Sequence, residues 1–266
     1  MTPGRSAHDE AHAHEAHAGE AHAEDVHADE AHAEDAYAGD VHAPHADVHT
    51  AARVGPPAEL QVDVYVDVYV DVLCPWCFIA KRRLAAAVAA MPDVRVSVVW
   101  RSFELGPTLG REPGPTAAEE MAGWWGDQAD ARIAMIRRLG AAEGLELNLD
   151  RARPVNSFDA HRLLHLAAAS GRADRMLEGL LRAYHIDGAD IADHAVLERL
   201  GVEAGVTAGD VAALLASDAY ADAVRADEKR AAERGVTGVP ALVIGTRPPV
   251  SAVQSPAHLV RLLKTV

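Results

Sequence analysis

Apolar residues change their spacing along this chain in blocks, and each block predicts a different kind of element. From residue 66 to 72 valine alternates with Asp67, Tyr69 and Asp71, a period of two that predicts a strand. The four residues Asp-Val-Tyr-Val occur twice in succession, at 63–66 and 67–70. Because a slip of four is even, either copy presents the same faces to a sheet. The copy adjoining residue 71 is expected to be the strand proper, with the other as an extension. The period then lengthens: Cys77, Ile79, Leu84 and Val88 stand apolar among alanines and cations, a helical pattern that ends before Pro92. Alternation returns over residues 94–100, predicting a second strand that runs on through 101–107.

A long helical region follows. Its first helix is expected over 116–139, opened by the capping pair Thr116 and Glu119 and stopped by Gly140. A second opens at Asn156 or Ser157 and closes at Ser170-Gly171. Others are expected over about 174–184, 193–204, 207–217 and 219–234. Beyond Gly235 the pattern returns to strands. Val239-Pro240 directly precedes the apolar run 241–244, Arg247-Pro248-Pro249 marks a turn, residues 250–253 suit the next strand, and Ser255-Pro256 caps a closing helix over 258–265. A proline opening a strand suits a sheet edge, or a cis peptide that leaves the backbone groups of Val239 available to a peptide or thiol alongside.

The candidate chemistry sits at the first strand-to-helix turn, which holds both cysteines of the chain, Cys74 and Cys77. Pro75 suits the first helical position, where a missing N–H costs nothing, and so places Cys74 at the helix cap. The positive end of the helix favours a thiolate there. Cys77 lies one turn on, on the same face and within bonding reach. Cys74 is therefore read as an exposed nucleophile and Cys77 as a buried resolving thiol. Three other readings compete. A zinc half-site lacks a second cysteine pair. A structural disulfide closing so short a loop constrains the unfolded chain little. Two inert core cysteines have no need of the adjacent proline.

Composition divides the 266 residues in two. Residues 11–50 are almost wholly Ala, His, Glu, Asp and Gly, with histidine recurring every five residues from His12 to His32 and again at His42. Five residues advance a helix by about 140°, so these histidines share no face. Residues 1–58 are accordingly read as a disordered His/Ala/acidic tail, closed by Gly55-Pro56-Pro57. Residues 1–50 hold 12 acids and one arginine, whereas the remainder holds 28 acids and 24 bases. The acidity thus belongs to the tail, and the nearly balanced remainder is not the surface of a nucleic-acid binder. Ten histidines in the tail are able to chelate zinc, nickel or copper, but an unstructured repeat does so without needing a purpose, and no metal site is assigned. Neither a cationic, apolar leader nor an apolar run near ~18 residues is present, so a cytoplasmic protein with no membrane partner is expected. A lone cysteine pair in a reducing compartment is catalytic more often than structural. His161 and His165 lie four apart on one helix face, yet two ligands alone make a poor metal site; one packed and one solvated histidine is the expectation. Trp124 and Trp125 are expected in the core or a pocket wall.

Taken together, Cys74-Pro75-Trp76-Cys77-Phe78-Ile79-Ala80-Lys81-Arg82-Arg83, Trp100-Arg101-Ser102-Phe103-Glu104-Leu105, Asn156-Ser157-Phe158-Asp159-Ala160-His161-Arg162-Leu163 and Gly238-Val239-Pro240-Ala241-Leu242-Val243-Ile244 resemble the thioredoxin-fold DsbA family, and within it the FrnE-like branch of cytoplasmic oxidoreductases, some associated with polyketide biosynthesis. The resemblance runs from about residue 61 to 266. It implies an α/β thioredoxin fold over residues 59–266, with a large all-helical insertion at about 108–218, preceded by the tail. It implies Cys74 as nucleophile, Cys77 as resolving cysteine, Pro75 and Trp76 as the residues between them, and a cis Val239–Pro240 bond facing them. Asn156 and His161 would line the cleft between the sheet part and the insertion. No cofactor beyond the Cys74–Cys77 disulfide is implied, with glutathione as a candidate cosubstrate.

Three functions follow. The first is a dithiol–disulfide oxidoreductase acting on protein or small-molecule thiols. The second is a glutathione-dependent isomerase or transferase, like the related 2-hydroxychromene-2-carboxylate isomerases and kappa-class glutathione transferases. That family places serine at the first position, and cysteine at both 74 and 77 argues against it. The third is a metal-buffering protein whose tail is the active part.

Overall fold

The computed structural model describes residues 64–265; the histidine-rich segment 1–58, and with it the reading of a disordered or metal-chelating tail, lies outside them. A four-stranded sheet in the order β2-β1-β3-β4 organises the described residues, with β1 at Val64–Val70, β2 at Val96–Ser102, β3 at Ala241–Ile244 and β4 at Val250–Ser251. β1 runs parallel to β2, Val68 opposite Trp100, and antiparallel to β3, Val68 opposite Leu242. β1 takes in most of both Asp-Val-Tyr-Val copies, so it is longer than a strand built on the second copy alone. Its even positions Val64, Val66, Val68 and Val70 are buried while Tyr65 faces out, as the two-residue period requires. β2 lies two residues beyond the expected 94–100, because Val94 is taken up in the turn after α1 by its N–H bond to the Met91 carbonyl.

Helix α1, Pro75–Ala89, follows β1 and provides the return to the parallel strand β2. It packs against α9, Pro256–Lys264, capped by Ser255. Between β2 and β3 stands the helical region: α2 (Ala117–Trp125), α3 (Ala129–Ala142), α4 (Phe158–Ala169), α5 (Ala173–Arg182), a π-helical stretch (Ala183–Asp187), α6 (His194–Ala204), α7 (Ala208–Leu215) and α8 (Ala221–Glu233). Helical structure thus begins later than residue 108 and runs on past 218.

The single helix expected over 116–139 is two. Thr116 and Glu119 do form the reciprocal capping box, but the chain breaks at Gly126, whose φ of +51° only glycine adopts freely, and a 3₁₀ turn (Gly126–Gln128) leads into α3. Gly140 does not end the second half. It lies inside α3 because Leu147 packs on it; a Cβ there would sit 2.6 Å from Leu147 Cδ1. Trp124 is not core: it is 53% exposed, on the outer face of α2.

Charged side chains join the two parts. Lys81 of α1, 6% exposed, reaches Asp174 at 3.0 Å and Glu178 of α5 at 3.2 Å. On the other side Arg83 bonds Glu143 at 2.8 Å and the Val253 carbonyl at 3.1 Å. Both of these buried cations are paired, which buried charge requires, and the more exposed Arg82 between them pairs with Glu178 as well.

Candidate active site

The strand-to-helix turn brings Cys74 and Cys77 together as free thiols. Pro75 occupies the first helical position, and Cys74 takes the extended cap conformation before it, with φ −86° and ψ 113°. The turn is tightened by Cys74 N–H donating to the Asp71 carbonyl at 3.2 Å and Cys77 N–H to the Cys74 carbonyl at 3.1 Å. Cys77 is fully buried.

Two features of Cys74 differ from the sequence reading. It is 4% exposed rather than open, because the segment before β3 covers it. Its sulfur does not cap the helix either; it turns across to the Val239 carbonyl at 3.6 Å. The Val239–Pro240 peptide is cis, both residues are buried, and the Pro240 carbonyl accepts from Ala252 N–H at 3.0 Å, tying the loop to the end of β4. Trp76 is half-buried against the core beside the cysteines.

Burial pushes the Cys77 thiol well up, and the hydrogen bond and charge of the neighbouring Cys74 sulfur push it further; hydrogen bonding from the Asp71 backbone works the other way, and the Asp71 carboxylate raises it again. Of the two thiols Cys77 is therefore held in its protonated form by its surroundings. A thiol in this state resists nucleophilic use until something takes its proton.

Asp71 is a residue that sequence reasoning passed over as one polar position of a strand. It is fully buried. Oδ1 accepts from Leu73 N–H at 3.3 Å and lies 3.3 Å from His161 Nε2, and Oδ2 accepts from Leu105 N–H at 2.6 Å. The one signal that could have found it is an acid set between Val70 and Val72 at the end of a buried valine run. His161, expected to line an open cleft, is instead 0% exposed, packed beneath the turn from α4, and its Nδ1 has no hydrogen-bond partner. Asn156 stays nearer the surface and organises the loop after β2: its N–H donates to the Gly110 carbonyl at 2.8 Å, and its Oδ1 accepts from Phe158 N–H at 3.1 Å.

The π-helical stretch adds His185, also missed. Its ring meets Tyr184 edge-on at 4.8 Å and lies 6.3 Å from Phe78, the residue after Cys77. Burial pushes its pKa down to about 4, against a smaller opposing pull from the backbone of Val72 and Cys74 and the charge of Asp71, so it stays neutral. Burial likewise raises Tyr184, whose hydroxyl is unpartnered. Among the described residues no group of three or more His, Cys, Asp or Glu side chains is placed to hold a metal ion, and no helix is long and apolar enough to cross a membrane.

Against known proteins, residues 65–264 match the family model of the DSBA-like thioredoxin domain. A probable DsbA oxidoreductase from Streptomyces coelicolor is 36% identical in sequence and superposes with a TM-score of 0.71 over 76% of this chain and 89% of that one. Two further structures share the fold at lower identity. A 2-hydroxychromene-2-carboxylate isomerase is 17% identical, with a TM-score of 0.56 over 76% of this chain and 93% of its own. The cytosolic disulfide reductase DsbM from Pseudomonas aeruginosa, solved with GSH, is 19% identical, with a TM-score of 0.56 over 76% and 98%. No curated protein matches the sequence. With the sheet order, the helical region between β2 and β3 and the paired thiols at the head of α1, these likenesses place the chain in the DSBA-like thioredoxin domain family, as an enzyme of the thiol–disulfide oxidoreductase and isomerase type.

Proposed function

We propose that this protein is a cytoplasmic dithiol–disulfide oxidoreductase of the FrnE-like branch, with Cys74 as the attacking thiol and Cys77 as the resolving one, acting on protein or small-molecule disulfides. In the reducing direction the Cys74 thiolate attacks a substrate disulfide; a Cys74–substrate bond forms and the substrate's second sulfur leaves as a thiolate. Cys77, deprotonated, then attacks the Cys74 sulfur. The Cys74–Cys77 bond forms, the remaining substrate thiolate leaves, and two electrons have passed from the protein dithiol to the substrate. Run backwards, the same steps oxidise a dithiol.

The observation that carries this reading is the asymmetry of the pair. One sulfur lies at the helix head with its thiol against the Val239 carbonyl, and the other is sealed behind it with its proton held. Pro75 and Trp76 separate the two and set the relative stability of the bridged and open forms. Val239 and Pro240 present backbone to whatever binds Cys74, and Asn156 shapes the loop after β2. The cytoplasmic setting and a role near polyketide chemistry follow from the FrnE-like resemblance.

Trapping tests it. Cys77→Ala holds a client as a stable adduct through Cys74, identifiable by mass spectrometry, while Cys74→Ser holds none and abolishes insulin reduction. If the Cys74→Ser variant still reduces insulin at the rate of the unaltered protein, the assignment is wrong.

The fold shared with the isomerase, and with a reductase solved with GSH, supports a second reading, in which the site activates glutathione. Turnover of a glutathione adduct that survives Cys77→Ser would favour it over the first.

A further inference from the structure

Two residues beside the cysteine turn are tied to the end of β1 and the residue after it. Phe103 N–H donates to the Val70 carbonyl at 3.1 Å, and Leu105 N–H donates to Asp71 Oδ2 at 2.6 Å. Between them Glu104 sends its side chain to α8. That side chain is fully buried. Its Oε2 accepts from Arg225 Nη1, and its Oε1 is buried without a hydrogen-bond partner. The same Arg225 Nη1 also donates to Glu228 Oε2 at 2.7 Å, from one turn further along α8. One guanidinium nitrogen therefore serves two carboxylates, and the guanidinium is itself held over the Phe158 ring of α4 at 4.4 Å. With both carboxyls ionised this cluster has one negative charge in excess, and a bare Glu104 oxygen closed off from water.

We propose that Glu104 and Glu228 hold one proton between them beside Arg225, and that this shared proton is a pH-operated latch fastening the segment after β2 to α8. In the protonated state the carboxyl O–H of one residue donates to the carboxylate of the other, and one negative charge faces one guanidinium. As pH rises the proton leaves to solvent past Glu228, which is 26% exposed. Two like charges then compete for one nitrogen, Glu228 turns out to water, and the segment after β2 is held to α8 more weakly. The groups that face Glu104 support this. α8 presents Arg225 and Glu228: burial and the Glu228 carboxyl raise the Glu104 carboxyl, and the opposing pull of Arg225 does not cancel them. α4 presents the uncharged ring of Phe158. Asp227, beside Glu228 in the chain, is turned to Arg101, Ser102 and His165 instead. A carboxyl raised in the folded state keeps its proton to higher pH than the unfolded chain does. The stability that the latch contributes is therefore present in acid, and it falls as pH rises from the unfolded value of about 4.3 through the folded one.

The test needs no redox activity, so its outcome is independent of the function proposed above. Full-length protein, Glu104→Gln, Glu228→Gln and the double variant are unfolded in urea at about pH 4 and about pH 8. Glutamine keeps the shape of a protonated glutamate, and its N–H donates where the O–H would. Comparing variant with unaltered protein at one pH removes every other titrating group from the difference. Near pH 4 the single variants should unfold with equilibrium constants within about twofold of the unaltered protein. Near pH 8 those constants should be about tenfold smaller, the usual scale for a buried group relieved of missing partners. The double variant should gain no more than either single one, because the two residues act as a unit. Amide exchange over residues 103–110, corrected for its intrinsic rate, should slow about tenfold in Glu104→Gln near pH 8 and be unaltered near pH 4. The proposal is overturned if the difference between variant and unaltered protein is the same at both pH values. It is also overturned if Glu104→Gln is the less stable protein near pH 8, as a fully ionised Glu104–Arg225 pair requires. A pH-dependent stability difference with no change in exchange over residues 103–110 removes the latch, and overturns it too.

Discussion

Helix α4 sends two histidines, one turn apart, to two buried aspartates, and the two pairs are built on opposite plans. His165 reaches Asp227 of α8 at 3.2 Å and Ser102 Oγ of β2 at 3.2 Å, and Asp227 also accepts from Arg101 at 3.0 Å and from Ser102 N–H at 3.1 Å. Burial alone would raise the Asp227 carboxyl, but His165, the Ser102 N–H and the Arg101 guanidinium outweigh it and hold it below the usual range. His161 reaches Asp71, which has two backbone N–H donors, no guanidinium, and an imidazole nitrogen left open behind it. The first arrangement is saturated and carries a fixed charge that clamps β2 to α4 and α8. The second is undersupplied and lies under the cysteines. A complete network serves stability, whereas a partly satisfied one carries the cost of an unpaired buried group.

The comparison can be broken in three places. The largest effect is expected at the saturated pair: Asp227→Ala strands His165 and the buried Ser102 N–H, leaves Arg101 with Asp67 alone, and should remove about 3–5 kcal/mol from the unfolding free energy, the usual cost of breaking a buried ion pair. Chemical denaturation measures it, and insulin reduction by the folded variant should be unchanged. A loss below about 1 kcal/mol, or slowed insulin reduction, would dissolve the distinction.

Next comes the open side, at His185. Its folded pKa of about 4 lies below an unfolded value of about 6.5. The unfolded chain therefore binds the proton first as pH falls, and stability drops between about pH 6.5 and 4, by about 3 kcal/mol at most. His185→Phe, which removes the titrating nitrogens while keeping a ring, should flatten this acid limb in melting curves taken against pH. An unaltered limb would place the acid sensitivity elsewhere.

The smallest effect sharpens the scale. Thr116→Ala breaks only the capping box at the start of α2, touches neither pair, and should cost about 1 kcal/mol with insulin reduction intact. A change in insulin reduction would mean that the start of α2 is coupled to the cysteines.

How much of this is legible in the sequence depends on the distance over which the cause acts. The strand–turn–helix around Cys74 is legible because valine alternation, Pro75 and the helical spacing after it all act within a few residues. So are the caps Thr116, Asp193, Thr207 and Ser255, whose side chains each accept from backbone N–H two or three positions on. Gly140 misleads for the opposite reason. A glycine that ends a helix and one that admits a leucine from the next segment look alike in a linear chain. Trp124 misleads because an aromatic residue reads as core wherever it stands, and only the packing of α2 leaves it outside. Asp71 and His161 are 90 positions apart, and no local rule joins them.

The chain alone therefore determines the order of strands and helices, the turn that presents two cysteines, and the family those segments resemble, since each follows from short-range backbone preference and hydrophobic period. Tertiary structure decides that Cys74 is covered as well, which carbonyl its sulfur meets, and which of two near-identical histidines is left with an open nitrogen. Those outcomes turn on burial and on partners brought in from distant segments, and free energies of that kind exist only once the helices have closed over the sheet.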